Sequence, residues 1–590
     1  MIRKHFWSIL LLLIIGVFAF RLSLGLSLFG DDWLVLYIFK YQVQHGNFAS
    51  FPIDLVSYLS PYGPTYLLMG IIDKFFGLNP LPYFVISLIT RSVATIALYA
   101  LVFHLTKKRF SAFMASAFWA ISEIGIESTN WVFNMNSYIG LGLFLTTMIF
   151  VLKYHETSKK HFFIISIPFF LLSVIAVPVR MHGAFIVLFL TEVFYLFSKW
   201  KGFSSLKDFV LANLIWFISF LILSRWGVFG SSTGNYETYI GKGIKENAAA
   251  IAQGRYDQFL LPLTTIGNMI YTDQYTNYIA IPRIIIKTNN LSWLRSFLGP
   301  MWVMFTALFV VMGSILVEHK KRKLFIIMSS GLMLGLILLT NIFVRNNTSL
   351  LSPSQIFATL IGGAFIIITT VLITITKQNN IKKGLLLGLF WLAGFAAIPL
   401  VFSALAEIPT SMRYMVLPGV SVPIIIGLLF AIPKNLSQKI WLIVLLIPLY
   451  FIQYSSTQLY FKNLLVSRSE GVSQKIWSNV LSKIPNMDPQ KDYLFYFEPN
   501  ATNGSIVRDV ITFGFIPRMI FYEKSPNRPG ALYGIENREQ FRSAIKDGEK
   551  LKGFNWGIAK RIDIKNAFAF RLEEDNTLTD IKSEILYGSR

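Results

Sequence analysis

Long apolar segments separated by short polar turns run through the first three quarters of the chain. The first, residues 6–29, is longer than the roughly 20 residues that a helix needs to cross about 30 Å of hydrocarbon. No small-x-small cleavage site follows it, which favours a retained span over a cleaved signal peptide. Similar segments recur, and the pattern predicts about thirteen membrane-spanning helices. The others are predicted at 81–104, 110–127, 138–153, 162–179, 183–199, 208–225, 296–317, 324–344, 355–376, 384–404, 413–433 and 439–456.

Three longer segments fall outside these predicted spans. Residues 30–80 contain a proline-broken aromatic stretch, for which we predict helices lying in the membrane interface, because a true span there would invert every later basic loop. Residues 226–295 are predicted to form a second large extracytoplasmic loop. The apolar content falls after residue 456, and residues 457–590 are predicted to form a separate extracytoplasmic domain.

The C-terminal segment alternates between strand-like and helix-like patterns. Strands are predicted at Tyr493–Phe497, Phe515–Phe521 and Phe568–Leu572, with helices near 473–484 and 537–550. The predicted fold class is therefore an all-α polytopic membrane bundle, formed by residues 1–456, followed by a small C-terminal extracytoplasmic α/β domain.

The distribution of charge predicts the orientation of the chain in the cell membrane. Only 14% of the residues are charged, against roughly 25% in soluble domains, and the formal net charge is +23. The basic residues lie in short clusters between apolar segments, which is the positive-inside pattern; it predicts a cytoplasmic N-terminus and an extracytoplasmic C-terminal domain. Because no single basic patch forms, we expect no nucleic-acid partner. The absence of cysteine excludes thiolate chemistry. The clusters are Arg3–Lys4, Lys107–Arg109, Lys153–Lys160, Lys199–Lys207, Lys320–Lys323, Lys377–Lys383 and Lys434–Lys439.

Polar and ionisable residues gather on the side that is predicted to be extracytoplasmic. Asp31 and Asp32 directly follow the first span, and Arg180 and His182 occupy the hairpin between the fifth and sixth predicted spans. Ionisable groups at a membrane boundary are costly, so such residues are candidates for function. The other members of this set are Glu123, Glu127, Asn130, Asn134, Asn136, Arg345, Glu407, Arg413 and Tyr414.

Carboxylates at such a boundary suit two kinds of chemistry. They accept a proton from a nucleophile, or they hold a divalent cation such as Mg²⁺ or Mn²⁺ through hard oxygen ligands. The candidate cation ligands are Asp31, Asp32, Glu127 and Glu407. A simpler interpretation of the acidic pair is that it caps the interfacial helix starting at Trp33.

The arginines of the same set suit phosphate, because the guanidinium group is always charged and binds two oxygens at once. The candidates for binding a phosphate group are Arg180, His182, Arg345, Arg413 and Tyr414. Arg91 and Glu192 fall within predicted spans, where a structural role is as consistent with their position as a functional one.

Three short motifs resemble the GT-C superfamily of membrane glycosyltransferases, which use polyprenyl-phosphate sugars. FGDDW at 29–33 resembles the acidic first-loop motif, and SMRYMVLPG at 411–419 is similar to a late-span segment in relatives of the protein O-mannosyltransferase type. LLSVIAVPVRMHGAFIVL at 171–188 lies where those relatives carry a basic mid-chain hairpin, but Arg180 and His182 stand where many show Lys-Glu. The resemblance implies a catalytic role for Asp31 or Asp32.

The leading hypothesis is therefore an integral membrane glycosyltransferase. It would move a hexosyl or related sugar from a polyprenyl-phosphate donor to a lipid, glycan or protein acceptor on the extracytoplasmic face, with inversion at the anomeric carbon. The main alternative is a membrane transporter or lipid flippase for glycolipids of the cell envelope, although no internal repeat or paired interrupted span supports it. A lipid-linked polymerase or ligase of the envelope is a third hypothesis.

Overall fold

The structure is a computed structural model that describes residues 2–41, 61–178, 180–198, 203–227, 245–272, 292–344, 351–402, 410–485, 488, 490–499, 504–507, 532–535, 537–546 and 562–588. Its helices are α1 Ile2–Phe20, α2 Asp31–Tyr41, α3 Gly63–Phe76, α4 Pro80–Thr106, α5 Arg109–Ile121, α6 Glu127–Asn130, α7 Asn136–Thr157, α8 Lys160–Ala176, α9 His182–Ser198, α10 Phe203–Gly227, α11 Leu261–Tyr271, α12 Ser292–Leu316, α13 His319–Val344, α14 Pro353–Ile375, α15 Asn379–Phe402, α16 Val416–Gly419, α17 Ser421–Ala431, α18 Leu436–Arg468, α19 Glu470–Lys483, α20 Gly504–Ile506, α21 Arg538–Lys546 and α22 Lys582–Tyr587. Its strands are β1 Tyr493–Glu498, β2 Leu532–Ile535, β3 Ala567–Leu572 and β4 Leu578–Asp580.

The bundle is a multi-pass helical assembly with a helix at every predicted span position. Within the described ranges, eight helical segments are long and apolar enough to cross a membrane. The higher count of about thirteen spans stays a prediction, since it includes shorter helices such as α5, with 13 residues, and α8 and α9, with 17 each. The eight segments are His5–Gly25, Pro80–Thr106, Val132–Thr157, Gly299–Leu316, His319–Val344, Ser354–Ile375, Arg413–Ala431 and Leu436–Arg468.

The segment Arg413–Ala431 lies at the centre of the bundle and is 94% buried. It packs on α4, α5 and α15, while α1, α13 and α18 lie further out and present exposed apolar side chains such as Trp7, Leu338 and Ile447. An apolar outer surface of this kind is stable only where lipid replaces water.

The start of α14 is stabilised by a capping box. The Ser352 hydroxyl accepts from the Gln355 N–H, and the Gln355 side chain accepts from the Ser352 N–H.

The first long loop contains two helices, α2 and α3, and residues 42–60 between them lie outside the described part of the chain. α3 buries Tyr66, Met69 and Ile72 and contacts α4 and α8. The Tyr62 N–H, just before α3, donates to the Ile175 carbonyl at 2.8 Å. The loop is thus held on the bundle, and its location in the membrane interface stays a prediction.

The segment predicted as the second large loop, residues 226–295, contains a buried helix that sequence reasoning missed. α11 packs along α14, where Gly267 and Gly362 bring the two backbones into close contact. The Thr264 and Thr359 hydroxyls are hydrogen-bonded across this contact at 2.7 Å, and Gln453 of α18 donates to the Met269 carbonyl at 2.9 Å. Residues 228–244 and 273–291 of this segment lie outside the described ranges.

The C-terminal region forms a four-stranded sheet in the order β2-β1-β3-β4. β1 is parallel to both β2 and β3, whereas β4 is antiparallel to β3. The predicted strands at 493–497 and 568–572 are confirmed as β1 and β3; the strand predicted at 515–521 lies outside the described residues, and β2 and β4 were missed. α18 continues past residue 456 to Arg468, so the bundle and this region share one helix.

Four charged side chains fasten the sheet to its helices. Glu498 of β1 accepts from Arg538 of α21 and from Arg571 of β3, the latter at 2.9 Å. Both arginines also bind Glu584 of α22. Hydrogen bonds from Arg538 and Arg571 hold the pKa of Glu498 down at about 2. The network thus holds α21 and α22 against β1 and β3 of the sheet.

We expect Gly267→Ala to destabilise the chain. An added Cβ would lie 1.8 Å from the Ala358 carbonyl oxygen, so α11 and α14 would have to separate, and overpacking of this kind costs about 1–3 kcal/mol. The matched control is Gly335→Ala on α13, where no atom lies within 4 Å of the added Cβ. The midpoint of thermal unfolding in lipid nanodiscs measures both, and equal midpoints would contradict the close contact.

Candidate functional site

The α2 N-terminus, which carries the acidic pair, is fixed by the carboxylate of Asp32. This side chain is fully buried and accepts the backbone N–H groups of Phe29 at 3.1 Å, Val132 at 3.2 Å and Phe133 at 2.6 Å. Burial raises the pKa of Asp32 to about 7, while the three N–H donors and Arg468 oppose the rise. Asp32 therefore joins the first loop to the turn that precedes α7.

Gly30 allows the turn before α2 to lie against the Trp131 ring. Its φ of +53° lies in the left-handed region, and a Cβ there would lie 3.0 Å from the Trp131 ring. The ring of Phe29 meets the same indole edge-on, with 5.1 Å between ring centroids. A glycine before the acidic pair is thus required by both the turn and the packing.

Asp31 lies beside Asp32 but has a different environment. It is partly exposed, and it forms no hydrogen bond or ion pair with any residue in the described part of the chain. Burial raises its pKa, and the charges of Arg413 and Arg180 act in the opposite direction. Asp31 is thus a carboxylate with two arginines nearby whose oxygen atoms have no hydrogen-bond donor among the described residues.

Arg413 lies on the turn before α16, at the start of the central span. Its guanidinium group lies 3.4 Å from Glu127 Oε2, and its backbone N–H donates to the same oxygen at 3.2 Å. The guanidinium carbon also lies 4.4 Å from the centre of the Trp131 ring and 5.0 Å from that of Tyr414. These contacts fix the direction of the side chain.

Arg180, from the turn between α8 and α9, approaches the same place from the other side. It donates to the Ser137 hydroxyl, to Asn134 Oδ1 at 3.0 Å and to the Arg413 carbonyl at 3.5 Å. Its guanidinium carbon lies 4.8 Å from the centre of the Tyr414 ring. Tyr414 therefore contacts both guanidinium groups and sets their spacing.

The turn from residue 122 to 136 and the segment 410–415 are held together through their backbones. Gly125 N–H donates to the Thr410 carbonyl at 2.8 Å, and Glu127 N–H donates to the Ser411 carbonyl at 3.0 Å. Gly125 has a φ of +66°, and a Cβ there would lie 2.3 Å from Val416 Cγ2. Such a contact is open only to glycine.

Glu123, which the sequence groups with the site residues, lies near the start of this turn and is buried. Its carboxylate accepts from the Thr410 hydroxyl at 2.9 Å and from the Ser456 hydroxyl of α18. It therefore links three segments of the bundle. Asn130 has a similar role, because its side chain donates to the Tyr460 hydroxyl at 2.8 Å.

Arg468, at the end of α18, was missed by sequence reasoning. It donates to the Asn130 carbonyl at 2.8 Å, and its guanidinium carbon lies 3.8 Å from the centre of the Phe29 ring. Its own carbonyl accepts from the Ser27 N–H at 2.9 Å. The signal that could have revealed it is an arginine just beyond the last long apolar segment, on the same predicted side as the acidic pair.

Arg91 has a structural role. Its buried guanidinium group donates to the Tyr138 hydroxyl at 2.6 Å and to the carbonyls of Trp119 and Ser122 at 2.9 and 2.8 Å. It also lies 3.9 Å from the centre of the Phe20 ring. Glu192 pairs with His155 at 3.1 Å, near the C-terminal end of α7 and so away from the site.

The structure thus brings together Asp31, Glu127, Arg180, Arg413 and Tyr414, with Asp32 behind them. The positions of three other predicted site side chains are not described. Arg345 and Glu407 lie outside the described residues, and His182 begins α9 without a described side chain. Across the described ranges, no three His, Asp or Glu side chains are close enough to hold a metal ion. A cation site that includes Glu407 stays a prediction.

Comparisons with known proteins leave the family of the chain open. No known family profile matches it, and no curated protein matches it. Among solved structures, the chain is similar to the crystal structure of ArnT from Cupriavidus metallidurans bound to undecaprenyl phosphate. The identity is 10% and the TM-score 0.31, over 97% of this chain and 94% of that chain. A likeness at that TM-score assigns no function to this chain.

We expect Asp32→Ala to destabilise the chain much more than Asp31→Ala does. The first change leaves three N–H groups, at 3.1, 3.2 and 2.6 Å from the carboxylate, without their acceptor. An unsatisfied buried donor lowers the free energy of unfolding by about 1–3 kcal/mol. The second change removes no hydrogen bond within the described residues. Thermal unfolding in nanodiscs compares the two variants, and similar midpoints would show that Asp32 does not hold the loop.

Proposed function

We propose that this chain is an integral membrane glycosyltransferase. It moves a sugar from a polyprenyl-phosphate donor to a hydroxyl of a lipid, glycan or protein acceptor, on the face predicted to be extracytoplasmic. The observation that carries the proposal is Asp31, a carboxylate without a side-chain hydrogen bond among the described residues, which lies close enough to Arg180 and Arg413, at the start of the central span, for their charges to lower its pKa. A base and two phosphate-binding cations are the groups that such a transfer requires.

Asp31 acts as the base in this proposal. The acceptor hydroxyl gives its proton to the Asp31 carboxylate, and its oxygen forms the new bond to the anomeric carbon. The bond from that carbon to the phosphate oxygen breaks, and its electron pair stays on the phosphate. A single displacement of this kind inverts the configuration at the anomeric carbon.

Arg180 and Arg413 bind the phosphate. The donor phosphodiester carries one negative charge and the departing phosphate monoester carries up to two, while protonation of Asp31 removes one negative charge from the site. The total charge is therefore unchanged, and the two guanidinium groups stabilise the phosphate as its charge grows. Glu127, at 3.4 Å from Arg413, keeps that side chain in place before the donor binds.

Asp32 is unsuited to the role of base because its oxygens already accept three backbone N–H groups. It acts as a positioning residue, which holds the start of α2 so that Asp31 faces the arginines. Two buried donors near the site, Trp131 Nε1 and Asn134 Nδ2, have no acceptor among the described residues. A ligand rich in oxygen atoms, such as a sugar phosphate, supplies acceptors of the type that they lack.

The experiment that tests the proposal measures sugar release from labelled polyprenyl-phosphate sugars by the full chain in proteoliposomes. We expect Asp31→Asn to lower the rate by about 100-fold or more, because the amide cannot accept the proton. Glu539→Gln, at an exposed position of α21, is the matched control and should keep the wild-type rate.

Two results would contradict the proposal. The first is a wild-type chain that consumes no such donor across a broad panel of sugars. The second is an Asp31→Asn chain as active as wild type. A chain that moves labelled glycolipid between leaflets without cleaving it would instead support the flippase alternative.

The pH dependence of the rate tests the role of Asp31 separately. Burial raises the pKa of Asp31 above its ordinary value of 3.8, and below that raised pKa the carboxyl group is protonated and cannot act as a base. The rate should therefore fall as the pH is lowered, starting above the pH range in which an ordinary aspartate is protonated. Measurement of kcat/KM against pH locates the pH at which the rate begins to fall, and this pH should shift in Asp31→Glu. If it does not shift in this variant, the fall in rate belongs to the protonation of another group.

A further inference from the structure

Three turns between helices meet at the end of the bundle opposite the candidate site. They join α12 to α13, α14 to α15 and α17 to α18, and they enclose a cavity of about 460 Å³. The central span shows that the two places are at opposite ends: Arg413 begins it, and Lys434 follows its last residue, Ala431. Its 19 residues span about 28 Å at 1.5 Å per residue. The cavity volume lies within the roughly 300–1,000 Å³ of ligand sites.

The mouth of this cavity is basic. It is lined by Lys321, Lys377 and Lys434 together with one acidic residue, Glu318. Lys434 lies 3.2 Å from Glu318, but both side chains are mostly exposed, at 70% and 65%, so this ion pair is weak. Lys377 forms no hydrogen bond or ion pair with any described residue. Three cations against one carboxylate leave positive charge for an anionic ligand.

One of these lysines is fixed by a hydrogen bond. Lys321 donates to the Ile375 carbonyl at the C-terminal end of α14, at 2.6 Å, so its ammonium group is held at the rim. The amides of Gln378, Asn435 and Gln438 line the same opening and add uncharged donors. A phosphate group, which accepts several hydrogen bonds, matches this set of donors.

The inner wall of the cavity is apolar. Ile315, Leu372 and Ile432 line it. Beside the opening, α18 presents Leu436 and Trp441 to the surroundings, with 73% and 61% of their surface exposed. Exposed apolar side chains next to the cavity indicate that it opens towards lipid, and an apolar wall under a basic rim suits a molecule with a charged head and an acyl chain.

The lysines of the cavity do more than orient the chain in the membrane. Orientation requires only that basic residues lie near the ends of spans. Lys320 and Lys323 meet that requirement on α13, yet they do not line the cavity. The convergence of lysines from three separate turns around one volume is the additional observation.

We propose that this cavity binds the phosphate head of an anionic phospholipid from the leaflet at the basic end of the bundle. The shared chemistry of its ligands is a phosphate group, and the lipid is the source that the apolar wall and the adjoining exposed surface favour. The site is separate from Asp31 and the two arginines, so the proposal stands independently of the glycosyltransferase assignment.

Native mass spectrometry of the full chain in detergent micelles tests the proposal, with phosphatidylglycerol and phosphatidylcholine as probes. We expect wild type to bind one phosphatidylglycerol in preference to phosphatidylcholine. Lys377→Gln combined with Lys434→Gln should weaken this binding by roughly 25-fold, at about fivefold per lysine. The matched control, Lys320→Gln combined with Lys323→Gln, removes the same charge and should bind as wild type does.

Three results would overturn the proposal. One is equal affinity of wild type for the two lipids, and another is equal weakening in both double variants, which would reflect net charge alone. The third is inorganic phosphate that binds to the lysine site and displaces phosphatidylglycerol at matched concentration, which would identify a site for free anions. Thermal unfolding of both double variants should match that of wild type, so that lost binding is not lost structure.

Discussion

The candidate site depends on one buried carboxylate and the three backbone N–H groups that it accepts. Asp32 takes donors from its own turn and from residues 132 and 133, a hundred positions further along the chain. A lone carboxylate in a low-dielectric interior is strongly unfavourable, and the three donors offset that cost. Because Asp31 is its neighbour at the start of a helix, fixing Asp32 also fixes where Asp31 points. The acidic pair thus divides into a residue that holds the loop and a residue that faces the arginines.

The arginines are constrained in a related way, through aromatic rings and backbone carbonyls. Tyr414 contacts both guanidinium groups, at 4.8 and 5.0 Å, and so keeps two like charges at a fixed spacing in a partly buried place. Among the described residues, two carboxylates, Asp31 and Glu127, lie with them, so the formal charges of these four groups cancel when both carboxyl groups are ionised. A neutral cluster costs less to keep at a membrane boundary than two uncompensated cations would. An incoming anion therefore meets two guanidinium groups that are already in place, and no further cation has to enter the site to receive it.

Much of the bundle could be predicted from the sequence, because long apolar segments and alternating basic turns are strong signals that depend only on composition along the chain. The helix α11 escaped notice for a physical reason: it has 11 residues, too few to cross a bilayer, and it is buried by the backbone contact of Gly267 with α14, which no local pattern reveals. The strands β2 and β4 are short, with four and three residues, and carry little periodicity. The predicted topology put Asp31, Arg180 and Arg413 on one side, but it could not predict that Asp31 and Asp32 have different surroundings, since two adjacent aspartates look identical until their neighbours in space are known. Arg468 was missed because the end of α18 lies beyond the predicted span.

α18 has a mechanical consequence for the chain as a whole. Its 33 residues extend about 50 Å, so it begins at the basic turn, crosses the bundle and emerges beside the first loop without a break. There Arg468 and Ser473 bind the segment around Ser27, and α19 follows after a single residue. The C-terminal region is therefore joined to the bundle through two successive helices, α18 and α19, that are hydrogen-bonded to the segment around Ser27. At 3.6 residues per turn, one residue inserted into α18 would rotate the residues that follow it by about 100° about the helix axis. The length of this helix is therefore as much a part of the architecture as its sequence.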